Sequence, residues 1–158
     1  MAHSAGMFAL WSSPEVCRYA GPIFDMYGRR VLSPVPTVSE SDKIVAFWLD
    51  AAVQGWGCRW ALLLLASDTF IGTVGFNSLG ACSEYAYHLI PDHWGQGFMP
   101  EATDPVFDWA VAERSCREIE AFFDAENQRS LSFVERQRFV RSGVTNDGTI
   151  RYTKTLSE

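Results

Sequence analysis

Cysteines at ligand spacing are missing from this sequence. Cys17, Cys58, Cys82 and Cys116 stand far apart, with no Cys-x-x-Cys and no histidine at a matching interval, so neither a zinc site nor a disulfide framework is signalled. Free thiols suit a reducing compartment, and a cytoplasmic protein is expected. Long apolar runs are also lacking: Trp60 to Ala66 is the longest, far below the ~20 residues that cross a bilayer. No basic stretch followed by an apolar one opens the chain, so neither export nor a membrane partner is expected. Basic charge is short as well. Against 19 Asp and Glu there are 13 Lys and Arg, a formal charge of −6, which argues against nucleic acid because phosphate backbones are held mainly by cations. Repeats, linkers and low-complexity segments are absent, so residues 1–158 are expected to form a single domain, with 47% hydrophobic residues to fill its core. Gly75 to Gly80 is one residue too long for a Gly-x-Ser-x-Gly nucleophile elbow. His88 and His93, five apart at a strand end, do not present two nitrogens to one ion, and no metal is expected.

What is present alternates helix and strand patterns. Ser12-Ser13-Pro14-Glu15 predicts a helix start running to about Tyr19, and the four glycine and proline breaks between Gly21 and Pro36 predict an ordered loop anchored by Phe24 and Tyr27. A second helix is expected from Ser39 to Gly55, with Ile44, Phe47, Trp48 and Ala51 at helical spacing. The continuous apolar run from Arg59 to Ala66 reads as a strand buried on both faces, forming a hairpin with residues 70–76. Residues 84–90 are the next strand, a helix is expected from about Pro100 to Arg114, and residues 118–124 form a strand parallel to 84–90. Asn127 caps a helix to about Gln137, and a hairpin around Asn146-Asp147-Gly148 closes the chain.

Between strand and helix lies Asp92-His93-Trp94-Gly95-Gln96-Gly97-Phe98-Met99-Pro100-Glu101-Ala102. Glycines at 95 and 97 permit a tight turn with exposed N–H groups, and the next helix aims its positive dipole end at the same place, a combination suited to an anion. Three segments carry a wider resemblance. Glu84-Tyr85-Ala86-Tyr87 resembles a Glu-x-Gly-Tyr strand, Trp94-Gly95-Gln96-Gly97-Phe98 with Glu101-Ala102 resembles a Trp-Gly-Lys-Gly-Tyr-Ala-Thr-Glu-Ala loop, and Asn127-Gln128-Arg129-Ser130 followed by Phe139 resembles an Asn-x-x-Ser helix with a Gly-Phe ending. In this order they are similar to the GNAT superfamily of acyl-CoA N-acyltransferases, in its RimJ/RimL branch of ribosomal-protein N-terminal acetyltransferases, over roughly residues 7 to 156.

That resemblance implies an α+β, GNAT-like fold: a mixed, mostly antiparallel sheet with a splayed central parallel pair, flanked by helices. It implies an acetyl-CoA-dependent N-acetyltransferase that transfers the acetyl group directly to a primary amine of a protein N-terminus or a small molecule. Trp94, Gly95, Gln96, Gly97, Phe98 and Met99 then cradle the pyrophosphate of coenzyme A, and a backbone N–H near Leu89 or Ile90 polarises the thioester carbonyl. Glu84 is implied as general base, Ser130 as the hydroxyl that assists the leaving sulfur, and Asn127 as a contact to the pantetheine or to a water. Helix cap, first-turn hydroxyl and solvated strand acid remain the alternatives for Asn127, Ser130 and Glu84.

The chain departs from the family pattern at five points. Met99 replaces a small residue, Pro100 removes an N–H, Pro105 interrupts a helix, Arg138 replaces a glycine before Phe139, and the first strand is missing ahead of the 7–20 segment. Met99, Pro100, Pro105 and the missing strand motivate a second reading, a catalytically weak acyl-CoA-binding or regulatory protein of the same fold. Loss of the first strand leaves a sheet edge that a second copy can cover in a homodimer.

Overall fold

The computed structural model describes residues 2–156. The chain runs α1 (Ser4–Trp11), α2 (Pro14–Cys17), β1 (Ile23–Phe24), β2 (Arg30–Val31), α3 (Val38–Gln54), β3 (Cys58–Leu64), β4 (Thr69–Ser78), β5 (Cys82–Leu89), α4 (Phe98–Arg114), β6 (Glu118–Phe123), α5 (Gln128–Arg136), β7 (Val140–Val144) and β8 (Ile150–Thr155). Six strands form one sheet in the order β3-β4-β5-β6-β8-β7, antiparallel throughout except for the central β5–β6 pair. This is the expected mixed sheet with a parallel pair at its middle, and no strand precedes β3 in it among the described residues.

Each face of the sheet has its own core. On one, α4 and α5 pack Val106, Phe107, Ala110, Leu131 and Val134 against Val74, Phe76, Tyr85 and Ile119. On the other, α1, α2 and α3 contribute Met7, Leu10, Trp11, Val16 and Ile44, which meet Phe70. Alternation along β5 explains the division: Tyr85 and Leu89 are buried toward the α4 side, and Glu84, Ala86 and His88 point to the α1/α3 side.

Several expectations need correction. Helix α1 was not expected, because its Ser-Ala-Gly-Met-Phe-Ala-Leu-Trp sequence has no polar stripe and its N-cap, His3, makes no side-chain bond. It is held by α3 and β4 packing, and Gly6 lies so close to Phe70 that a Cβ would come within 2.5 Å of the ring. The segment from Gly21 to Pro36 is not wholly irregular. Its β1–β2 hairpin closes over Asp25, whose carboxylate accepts the N–H groups of Tyr27 and Arg29, each at 2.9 Å. Helix α3 is capped by Thr37 rather than by Ser39. Strand β3 is not buried on both faces. It pairs only with β4 and stands at the sheet edge, with Ala61 and Leu63 exposed.

Helix α4 begins at Phe98 and runs without a break through Pro105. The carbonyl that Pro105 leaves without its helical N–H partner is that of Glu101, an exposed residue. Arg138 adopts φ 64, the left-handed conformation that glycine adopts freely, as the chain turns out of α5.

Candidate active site

Strands β5 and β6 are paired only from Cys82 to Glu84 against Glu118 to Glu120, and beyond that register they diverge. The opening determines which main-chain groups are available. Ile90 donates its N–H to Ile71 at 2.9 Å, so alternation turns Ala86, His88 and Ile90 toward β4 and the main chain of Tyr87 and Leu89 toward the gap. The Leu89 carbonyl accepts the indole N–H of Trp94 at 2.8 Å. An N–H directed into the gap is therefore offered by Leu89 and Tyr87. Ile90, the other residue considered from sequence, is engaged with β4.

At the mouth of the gap, Gly95 and Gly97 take φ 73 and 87, and Gly97 caps α4 without any side-chain bond. Among the described residues, the N–H groups of Gly95 to Met99 have no acceptor inside the protein. They form a row of free donors at a helix start, the physical requirement for holding a phosphate. Pro100 ends that row one residue later, but its ring occupies the first turn, where an N–H has no partner within the helix. The Gln96 side chain folds back onto the Asp92 carbonyl at 2.6 Å.

Helix α5 faces this loop from the opposite lip. Asn127 caps it, accepting the Ser130 N–H at 3.3 Å, and the Arg129 guanidinium lies 4.2 Å from the centre of the Trp94 ring. That contact bridges the two lips of the cleft. Inside, the Tyr87 hydroxyl is buried with no hydrogen-bond partner, and burial pushes its phenol up while the neighbouring Ser130 hydroxyl opposes the shift.

On the α1/α3 face, Glu84 sits where the strands begin to part. Asn77 donates its amide to the Glu84 carboxylate, and Arg59 donates to the Asn77 carbonyl oxygen and to the Ala86 carbonyl. The guanidinium also lies 4.6 Å from the centre of the Trp48 ring, and burial lowers Arg59 to about 10 against the opposing pull of Glu84. Further along β5, His88 packs against Trp11 with ring centres 4.6 Å apart. Burial, aided by the charge of Arg59, lowers His88 to about 3, and neither its Nδ1 nor the Trp11 indole N–H has a partner.

Glu84, Leu89, Trp94, Gly95, Gly97, Phe98, Met99, Asn127 and Ser130 all line one cleft of about 1790 Å³, which excludes Ile90 and Gln96. A single small-molecule site is typically ~300–1,000 Å³, so this volume accommodates two substrates. The cleft also contains Arg59, Asn77, Tyr87, His88 and Arg129, to which sequence reading gave no role in the site. His88 was accessible to it, since Glu84, Ala86 and His88 share one strand face. The Arg59–Asn77 link was not, because it joins separate strands. Among the described residues no group of His, Cys, Asp and Glu is arranged to hold a metal, and no helix is long and apolar enough to cross a membrane.

Residues 2–140 match the family model described as an acetyltransferase (GNAT) domain. The uncharacterized N-acetyltransferase p20 of Bacillus licheniformis is 28% identical over 140 residues, covering 87% of this chain and 73% of its own. Solved structures with the same fold include RimL, a ribosomal L7/L12 alpha-N-protein acetyltransferase in complex with coenzyme A, at a TM-score of 0.80 and 16% identity over 98% of this chain and 89% of its own. Another is the spermidine N-acetyltransferase of Vibrio cholerae in complex with CoA and spermine, at 0.76 and 14% over 97% and 89%. The chain belongs to the GNAT family and is an N-acetyltransferase.

Proposed function

We propose that this protein transfers the acetyl group of acetyl-CoA directly to a primary amine. The observation that carries this reading is the parting of β5 and β6 beyond Glu84 and Glu120, with a row of free N–H groups at the open end. The gap has the edges of a missing strand, so an extended pantetheine arm can pair with the main chain of Tyr87 and Leu89. The donors from Gly95 to Met99 suit the pyrophosphate, with the Arg129 cation above Trp94.

Transfer requires the amine nitrogen to attack the thioester carbon, the C–S bond to break, and one proton to pass from nitrogen to a base. A main-chain N–H of Tyr87 or Leu89 stabilises the oxyanion without needing a side chain. Glu84 has one oxygen held by Asn77, which leaves the other to take the amine proton directly or through a water. The Ser130 hydroxyl, beside the buried Tyr87 hydroxyl, supplies a proton to the departing sulfur.

The test is release of free coenzyme A thiol from acetyl-CoA across a panel of amines and N-terminal peptides, beside melting measurements with coenzyme A. Amine-dependent thiol release is expected, and Glu84→Gln should reduce it by ~10²-fold or more while the rise in melting temperature persists. Binding without turnover for any amine would leave a coenzyme-binding protein in place of an enzyme.

A further inference from the structure

The polar side chains behind Glu84 form a relay that crosses three strands. Arg59 on β3, Gly75 on β4 and Ala86 on β5 lie in one row of the sheet. Glycine at the middle of the row puts no side chain in the way, and the Arg59 guanidinium reaches across it to donate to the Ala86 carbonyl. It also donates to the Asn77 carbonyl oxygen and lies 4.6 Å from the centre of the Trp48 ring. Contacts to α3, β4 and β5 thus fix this cation, and burial lowers it only to about 10, so it is charged at neutral pH. Asn77 is the extra residue of a bulge: Phe76 pairs with Tyr85 and Ser78 with Glu84, which leaves Asn77 without a partner across the ladder and its amide free to meet Glu84. A guanidinium only donates and a carboxylate only accepts, so a single arrangement of the Asn77 amide satisfies both, oxygen to Arg59 and nitrogen to Glu84. Arg59 therefore sets the orientation of Asn77, and Asn77 that of Glu84. Among the described residues Arg59 forms no ion pair with Glu84 itself. A direct pair would engage both carboxylate oxygens in a fork, whereas the neutral amide engages one and leaves the other open to the cleft that Glu84 lines.

We infer that Arg59 and Asn77 are positioning residues for acetyl transfer that act only through Glu84, holding one carboxylate oxygen so that the other is presented to the acceptor amine. This rests on the reading of Glu84 as the base. Misplacing a reacting group by about 1 Å is enough to cost up to ~10²-fold in rate, so a carboxylate fixed at one oxygen has a kinetic advantage over one free to turn. Both residues stand on β3 and β4, outside the donor row from Gly95 to Met99 and the gap between β5 and β6, so coenzyme binding does not depend on them.

The experiment measures thiol release from acetyl-CoA by the full chain with whichever of spermidine, 2-phenylethylamine and a peptide with N-terminal alanine is turned over fastest. Asn77→Ala and Arg59→Met are compared in two backgrounds, the wild type and Glu84→Gln. In the wild-type background each should lower kcat by about tenfold, the loss that one orienting hydrogen bond carries, with the KM for acetyl-CoA and the coenzyme-induced rise in melting temperature unaltered. Added to Glu84→Gln, the same substitution should change kcat by less than about twofold, because residues that act through one group do not add. A role in the fold alone would lower kcat by the same factor in both backgrounds, and that result overturns the inference. Full activity of Asn77→Ala beside an impaired Glu84→Gln overturns it equally. Asn77→Ala keeps the bond from Arg59 to the Ala86 carbonyl, so it decides the matter even where Arg59→Met does not fold. Full activity of Glu84→Gln would instead remove the base reading, and absence of turnover with every amine the acetyl-transfer reading, and the inference would fall with either.

Discussion

Acidification should destabilise this protein through His88, and the size of the effect is set by its surroundings. In the unfolded chain an imidazole binds a proton below its ordinary value of 6.5, whereas His88 in the folded protein takes none until about 3. Across that window the unfolded state holds more protons, so stability is complete above 6.5, falls as pH falls, and stops falling below about 3. Each pH unit contributes about 1.4 kcal/mol, so lowering the pH to 4.5 costs about 3 kcal/mol, and the whole window costs roughly 4–5 kcal/mol. Against a typical domain stability of ~5–15 kcal/mol this is a large fraction. The ring cannot escape the cost by protonating in place, because it is enclosed beside Trp11 and near the cation of Arg59. Urea unfolding followed by tryptophan fluorescence at pH 7.5 and 4.5, on the wild type and on His88→Gln, measures the difference. The wild type should lose about 2–3 kcal/mol more than the variant on acidification. Parallel losses in the two proteins would refute the reasoning, as would imidazole nitrogen shifts showing a protonated His88 in the folded protein at pH 4.5.

Two other substitutions test local geometry. At Gly97, with φ 87, an added Cβ meets no protein atom, so Gly97→Ala should cost only about 1 kcal/mol of stability through backbone strain, yet weaken coenzyme A at least about tenfold by shifting the donor row; denaturation and calorimetric titration separate the two. Arg138→Gly relieves a left-handed residue at φ 64 and should stabilise by roughly 1 kcal/mol, read as a higher urea midpoint with unaltered slope.

Much of the site was legible in the chain because its signals are local. Glycines at 95 and 97 before a helix, an asparagine three residues before a serine, and the sequence of strand, loop, helix and strand each announce themselves within a few residues, and the structure places them around one cleft. Helix α1 escaped notice because small and apolar residues surround it on all sides, so its helical state depends on what it packs against. Strand β3 was misjudged for the complementary reason: an apolar run states that a strand is hydrophobic, but not how many neighbours it has.

The division has a physical basis. The turn at Gly95 and Gly97, the helix caps Ser13 and Asn127 and the alternation along β5 depend on neighbours in the chain, and those were legible in the sequence alone, together with the resemblance that ties them to acyl transfer. Tertiary structure decided what depends on separate segments meeting: that β5 and β6 part after Glu84 and Glu120, that Arg59 reaches Glu84 through Asn77, and that His88 is shut in beside Trp11 with no partner. Burial and charge act through space, so the state of those side chains depends on which elements enclose them.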